Sequence, residues 1–110
     1  MSPMTLPPAP EDPADTARIL GSFIRNGRLV TIPARGRKRL VVLRFLLDQV
    51  LPDESPVEER DVNARLARWH PDVAALRRYL VDSGLATRAR MVYRRAPSLE
   101  PRRDGEPPAV

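Results

Sequence analysis

The chain has no cysteine among its 110 residues. This absence excludes a disulfide framework, a thiolate nucleophile and any zinc site built on cysteine. His70 is the only histidine, so a second imidazole ligand is lacking as well. The apolar runs are short, whereas a membrane-spanning helix needs about 20 apolar residues. We therefore expect no metal, no cofactor and no membrane partner.

Proline is concentrated at the two ends of the chain. Of the 13 prolines, five lie within residues 1–13 and four within residues 97–110. Such segments bury too little apolar surface to offset the entropy lost on ordering. We predict a disordered Pro-rich leader over residues 1–13, one folded domain over 14–95 and a disordered tail over 96–110. The leader lacks the pattern of a secretory signal, which favours a cytoplasmic protein.

Apolar periodicity between the two ends predicts four helices. In chain order they cover residues 12–27, 40–51, 58–69 and 71–83. Asn26 and Gly27 are typical of a helix C-terminus and close the first helix. The second helix is apolar over most of its circumference, so it belongs at the centre of a small domain. Short strands are predicted over residues 28–33 and, as a hairpin with its turn near Ala89 and Arg90, over residues 85–95.

The third and fourth helices are separated by a sharp corner. Pro71 disfavours helical geometry at the residue before it and suits the start of a new helix. His70 invites a metal or acid–base interpretation, but without a second histidine a hydrogen-bonded turn residue or an N-cap is favoured. Arg77 lies at the edge of the apolar face, where we expect it to bind Asp72 or Asp61. The structural pivot is predicted to comprise Trp69, His70, Pro71, Asp72 and Arg77.

The order of these elements indicates the fold class. Helix, strand, basic turn, core helix, helix, sharp turn, helix and hairpin follow one another along the chain. This order predicts a mainly α fold with a small β-hairpin. More specifically, it predicts a winged helix-turn-helix-like domain with an N-terminal helix and disordered Pro-rich tails.

Several segments together resemble a known bacterial family. They lie at residues 28–33, 37–43, 61–63, 67–72, 76–78, 80–82, 84–85 and 92–94. The most specific of them is Trp69-His70-Pro71-Asp72 with Leu76-Arg77-Arg78 downstream. The chain resembles the domain of unknown function family DUF2087 over residues 22–95. The resemblance implies a winged-helix-like domain that is often attached to bacterial transcriptional regulators, but it implies no activity, since none is established for the family.

Positive charge suggests a polyanionic partner. The net charge is +5, and residues 35–95 carry 14 basic against 8 acidic side chains. A dense basic run precedes the core helix, where helix N-termini already favour anions. One arginine points outwards on the fourth helix, and two more lie on the hairpin. The candidate DNA or phosphate contacts are Arg35, Arg37, Lys38, Arg39, Arg78, Arg88 and Arg90.

Two hypotheses for the function follow. The first is a DNA-binding transcriptional regulator, or an accessory module of one, that contacts double-stranded DNA mainly through its phosphates. The alternative is a winged-helix protein-interaction or ligand-sensing module without DNA binding, whose small outward residues Ala74 and Ala75 contact a second copy or another regulator. An enzyme is not expected, because His70 and Asp72 are not accompanied by a nucleophile in a recognisable motif.

Overall fold

The structure is a computed structural model that describes residues 13–34 and 36–97. The predicted disordered leader and tail lie outside the described residues, apart from Pro13, Ala96 and Pro97 at their inner ends. The described helices are α1 Pro13–Phe23, α2 Gly36–Val50, α3 Glu59–Ala67 and α4 Val73–Asp82. The strands are β1 Ile24–Arg25, β2 Arg28–Leu29, β3 Val57–Glu58, β4 Ala86–Ala89 and β5 Val92–Arg95.

The end of the first helix was predicted wrongly. α1 ends at Phe23, and Asn26 and Gly27 form the turn of a hairpin in which Ile24 pairs with Leu29. Both turn residues have positive φ, 54° and 74°. Asn-Gly is typical of a helix C-terminus, but it is also the preferred pair for a tight two-residue hairpin turn, which requires positive φ at both positions. The strand predicted over residues 28–33 is correspondingly short and ends at Leu29.

The core surrounds α2, as its apolar circumference predicts. Val42, Leu46 and Val50 of this helix have no exposed surface. The other buried members of the core come from α2 and the residue after it, and from β2, α3, α4, β4 and β5: Leu29, Leu43, Leu47, Leu51, Val62, Leu66, Leu76, Leu80, Ala86 and Tyr93. Tyr93, on the last strand, is 2% exposed and was not predicted as a core residue.

The C-terminal hairpin belongs to a three-stranded antiparallel sheet. β5 lies between β3 and β4, with Val57 opposite Tyr93 and Ala89 opposite Val92. The predicted turn near Ala89 and Arg90 is confirmed, and Arg90 occupies it with a φ of 59°. The described residues therefore form an α/β domain of four helices and two small antiparallel sheets.

Shortening a core side chain of α2 tests this arrangement. We expect Leu46→Ala to lower the free energy of unfolding by about 2–5 kcal/mol, because it removes buried methyl groups and leaves a cavity. Urea denaturation measures this loss. Val30→Ala is the matched control, since Val30 is 60% exposed and its truncation should change the free energy by less than about 0.5 kcal/mol. Equal losses in the two variants would contradict the assignment of α2 as the core helix.

Candidate functional site

The corner between α3 and α4 is built from local hydrogen bonds. The Asp72 N–H donates to His70 Nδ1 at 3.0 Å, and Asp72 Oδ1 accepts from the Ala75 N–H at 3.1 Å. Asp72 is therefore the N-cap of α4, and His70 is a hydrogen-bonded turn residue. α4 begins at Val73, two residues later than predicted from Pro71.

Trp69 anchors this corner to the core. Its ring meets the Phe45 ring edge-on, with centroids 5.2 Å apart. Its carbonyl oxygen accepts a hydrogen bond of 2.8 Å from the Leu29 N–H on β2. The corner therefore joins α2, α3, α4 and the first hairpin.

Arg77 binds a carboxylate other than the two that were predicted. Its Nη1 lies 2.8 Å from Glu59 Oε1 at the start of α3, rather than at Asp72 or Asp61. The same oxygen accepts a 2.9 Å hydrogen bond from the Tyr93 hydroxyl and lies 3.4 Å from Arg88 Nη2. Glu59 lies in the first turn of α3, where an acidic residue also complements the helix dipole. Nothing in a local sequence pattern indicates that its partners come from three other elements.

Two arginines and a tyrosine join the N-terminal turn of α2 to α4: Arg39, Arg78 and Tyr79. The guanidinium carbon of Arg39 lies 4.1 Å from the centre of the Tyr79 ring, and that of Arg78 lies 5.8 Å from it. Arg39 Nη1 also donates to the Ala34 carbonyl at 2.8 Å. Stacking on an aromatic face is favourable for guanidinium groups and restricts their motion. Arg39 and Arg78, 39 positions apart in the chain, therefore share one surface.

The remaining candidate phosphate contacts differ in their surroundings. Arg37 forms an ion pair with Asp15 of α1, and Lys38 is exposed beside it. Arg88 is half-exposed and donates from Nε to the Arg90 carbonyl at 2.7 Å, which braces the hairpin turn. Arg90 itself is exposed at the tip. Arg35 lies outside the described residues.

Two positive clusters, Lys38 with Arg39 at the N-terminus of α2 and Arg88 with Arg90 on the β4–β5 hairpin, border one exposed face of α4. Ala74, Arg78 and Asp82, four residues apart, form this face and are all exposed. At about 100° per residue, Arg77 and Tyr79 lie on its opposite edges. Arg77 contacts Glu59 and through it the hairpin, whereas Tyr79 contacts Arg39 on α2. The N-terminus of α2 and the β4–β5 hairpin therefore lie on either side of this face.

Ala75 does not belong to the exposed face. It was predicted to point outwards with Ala74, but it is only 9% exposed. The reason is that α4 is covered on two sides, by α2 and α3 as well as by β4. The small uncharged surface on α4 is accordingly reduced to Ala74.

The part of the chain that the structure describes contains neither a group of metal-ligating side chains nor a membrane-spanning helix. Across residues 13–34 and 36–97, no three acidic or histidine side chains gather closely enough to hold a metal ion. None of the helices in this part of the chain has the length and apolar content that crossing a membrane requires.

The capping role of Asp72 makes a prediction about stability. Asp72→Ala should lower the free energy of unfolding by about 1 kcal/mol, because the Ala75 N–H loses its acceptor. Asp82→Ala, at the opposite end of the same helix, is the control and should raise it by a few tenths of a kcal/mol, since a carboxylate opposes the helix dipole there. Urea denaturation at low ionic strength compares the two. A free energy of unfolding that rises in Asp72→Ala, as it does in Asp82→Ala, would contradict the assignment of Asp72 as the N-cap.

Comparison with known proteins identifies the family of the chain. Residues 28–95 match the family model described as an uncharacterized protein conserved in bacteria, DUF2087. The match covers β2 to β5 and leaves out α1 and β1. No curated protein and no solved structure matches the chain. The chain belongs to the bacterial DUF2087 family.

Proposed function

We propose that the protein is a winged helix-turn-helix DNA-binding protein that acts as a transcriptional regulator or as an accessory module of one. The order of elements from α2 to β5 supports this proposal. α3 and α4 meet at a tight corner, and the hairpin that follows α4 pairs with a strand that precedes α3. In such domains the second helix of the pair enters the major groove, and it would be α4 here.

The observation that best supports DNA binding is that the two positive clusters lie on either side of the same exposed face of α4. A duplex lying along the exposed face of α4 would meet Lys38 and Arg39 on one side and Arg88 and Arg90 on the other. The N-terminal end of α2 adds free backbone N–H groups and a positive dipole end, both of which favour a phosphate. Contacts on both sides of a helix fix its position on a duplex without reading the sequence.

The charge on the α4 face favours phosphate contact over base readout. Arg78 is the cation at the centre of this face, while Ala74 has no polar side-chain group and the Asp82 carboxylate repels phosphates. A helix that reads bases needs donors and acceptors along its outward stripe. We therefore expect binding with little sequence preference and a strong dependence on salt, because each neutralised phosphate releases counterions.

The alternative, a protein-interaction or ligand-sensing module, receives less support from the same surface. In that hypothesis Ala74 and Ala75 together form the docking face, but Ala75 is buried.

The proposed function also agrees with the expected location, because a regulator that binds bacterial DNA acts in the cytoplasm.

The salt dependence of duplex binding tests the proposal. The test variant is Lys38→Gln/Arg78→Gln, which removes two exposed cations from the proposed surface. The control is Arg25→Gln/Arg68→Gln, which loses the same charge at the other end of α2. Gly27, Gln49 and Arg68 line one cavity there, about 16 Å along the helix from Lys38. Affinity for a random-sequence duplex is measured by fluorescence anisotropy between 50 and 200 mM salt (roughly the range over which phosphate contacts weaken).

The two double variants should behave differently. We expect the wild type to bind with an affinity that falls steeply with salt. The test variant should bind more weakly, with the slope of log affinity against log salt reduced by about two, or about one for each lost phosphate contact. The control should stay close to the wild type. Absence of wild-type binding at the lowest salt would refute DNA binding, and equal losses in both variants would refute the proposed surface.

A further inference from the structure

The β4–β5 hairpin is fixed in two different ways along its length. Ala86 at the base and Tyr93, which pairs with Arg88 close to the turn, are each 2% exposed, so packing against the core holds the strands up to this pair. At its tip, Ala89, Arg90 and Met91 are all exposed, and Met91 retains 56% of its accessible surface. Core packing does not extend to these three residues, and polar contacts hold the tip.

Glu59 supplies those polar contacts to the tip. Its backbone N–H donates to the Met91 carbonyl at 2.7 Å. Its Oε1 lies 3.4 Å from Arg88 Nη2, and the Nε of the same arginine donates to the Arg90 carbonyl at 2.7 Å. A continuous series of contacts thus joins the first turn of α3 to the turn of the hairpin.

The same carboxylate joins the hairpin to α4. Glu59 Oε1 lies 2.8 Å from Arg77 Nη1, and both side chains are largely shielded from water, at 14% and 19% exposed. Shielding strengthens a charge interaction, because the effective dielectric constant there is lower than that of bulk water. Without the carboxylate, Arg77 and Arg88 would face each other as like charges, and Arg88 would no longer be held toward α4.

We propose that Glu59 is a positioning residue of the DNA interface, which holds the hairpin tip beside the exposed face of α4. This inference rests on the proposed function. Glu59 touches no DNA itself and, as an anion, would repel it. Its contribution is to fix Arg88 and Arg90 at the distance from Arg78 at which all three reach one duplex.

Two neighbouring glutamates allow a matched test, because the proposal predicts opposite changes in duplex affinity when each is replaced. Glu58→Gln and Glu59→Gln both raise the net charge by one and both lie at the start of α3. Glu58, however, is 63% exposed and pairs only with Arg60, at 3.2 Å, among the described residues. If charge alone mattered, each change would tighten duplex binding. We expect Glu58→Gln to bind as well as the wild type or better, and Glu59→Gln to bind about tenfold more weakly, the size of one lost protein–DNA contact.

Tyr93→Phe provides a second variant that leaves the charge unchanged. It keeps the buried ring but removes the hydroxyl that donates to Glu59 Oε1 and accepts from Arg77 Nη1 at 3.3 Å. We expect duplex affinity to fall about threefold, since one hydrogen bond that orients the carboxylate is lost. Thermal unfolding and circular dichroism test whether each variant is folded at the temperature of the binding measurement. If Glu59→Gln is unfolded there, Tyr93→Phe takes its place in the comparison with Glu58→Gln.

The outcomes separate this inference from the proposed function. Weaker binding by Glu59→Gln and Tyr93→Phe, with Glu58→Gln unaffected or tighter, supports the positioning role. If Glu59→Gln binds as tightly as Glu58→Gln, the positioning role is overturned while DNA binding stands. Failure of the wild type to bind duplex at low salt overturns the proposed function and, with it, this inference.

Discussion

The need to cover α2 on nearly all sides is the constraint on which the rest of the domain depends. The buried residues of this helix extend around most of its circumference, so no single neighbouring helix could cover them: Val41, Val42, Leu43, Leu46, Leu47 and Val50. α1, α3 and α4 each pack against α2, and the two sheets contribute Leu29, Ala86 and Tyr93 to the same core. Burial of this apolar surface is the dominant favourable contribution to folding. The corner between α3 and α4 and the β4–β5 hairpin reverse the chain so that the segments after α2 can pack against it.

Arginine has two roles around this core, and one of them is structural. Arg65 and Arg95 donate to the carbonyl oxygens of Val50 and Leu51, at the C-terminal end of α2, at 2.7 and 3.1 Å. Cations at a helix C-terminus satisfy free carbonyl groups and complement the dipole. A basic composition therefore does not by itself indicate a nucleic-acid partner. We propose DNA binding because of where Lys38, Arg78 and Arg90 lie, and not because of the net charge.

Local sequence patterns predicted the elements well and the contacts between them poorly. The apolar circumference of α2, the corner at Pro71 and the hairpin turn at Arg90 each follow from a few neighbouring residues. The role of Asn26 and Gly27 did not, because the same pair suits a helix end and a hairpin turn, and the choice depends on the pairing of Ile24 with Leu29. The partner of Arg77 and the burial of Ala75 depend on the packing of distant segments. The candidate site was therefore predicted as a set of residues, while the contacts of Glu59 with Arg77 and Arg88 became visible only in three dimensions.

The position of Trp69 has a consequence for observing the protein in solution. It is the only tryptophan of the chain, and it lies where α2, α3 and β2 meet, edge-on to Phe45. Indole emission from the whole protein therefore originates at one junction of the core, without a background from other sites. The hairpin tip contains no aromatic residue, so movement there would leave this emission unchanged. The intrinsic fluorescence distinguishes loosening of the core junction from motion of the hairpin tip without any added label.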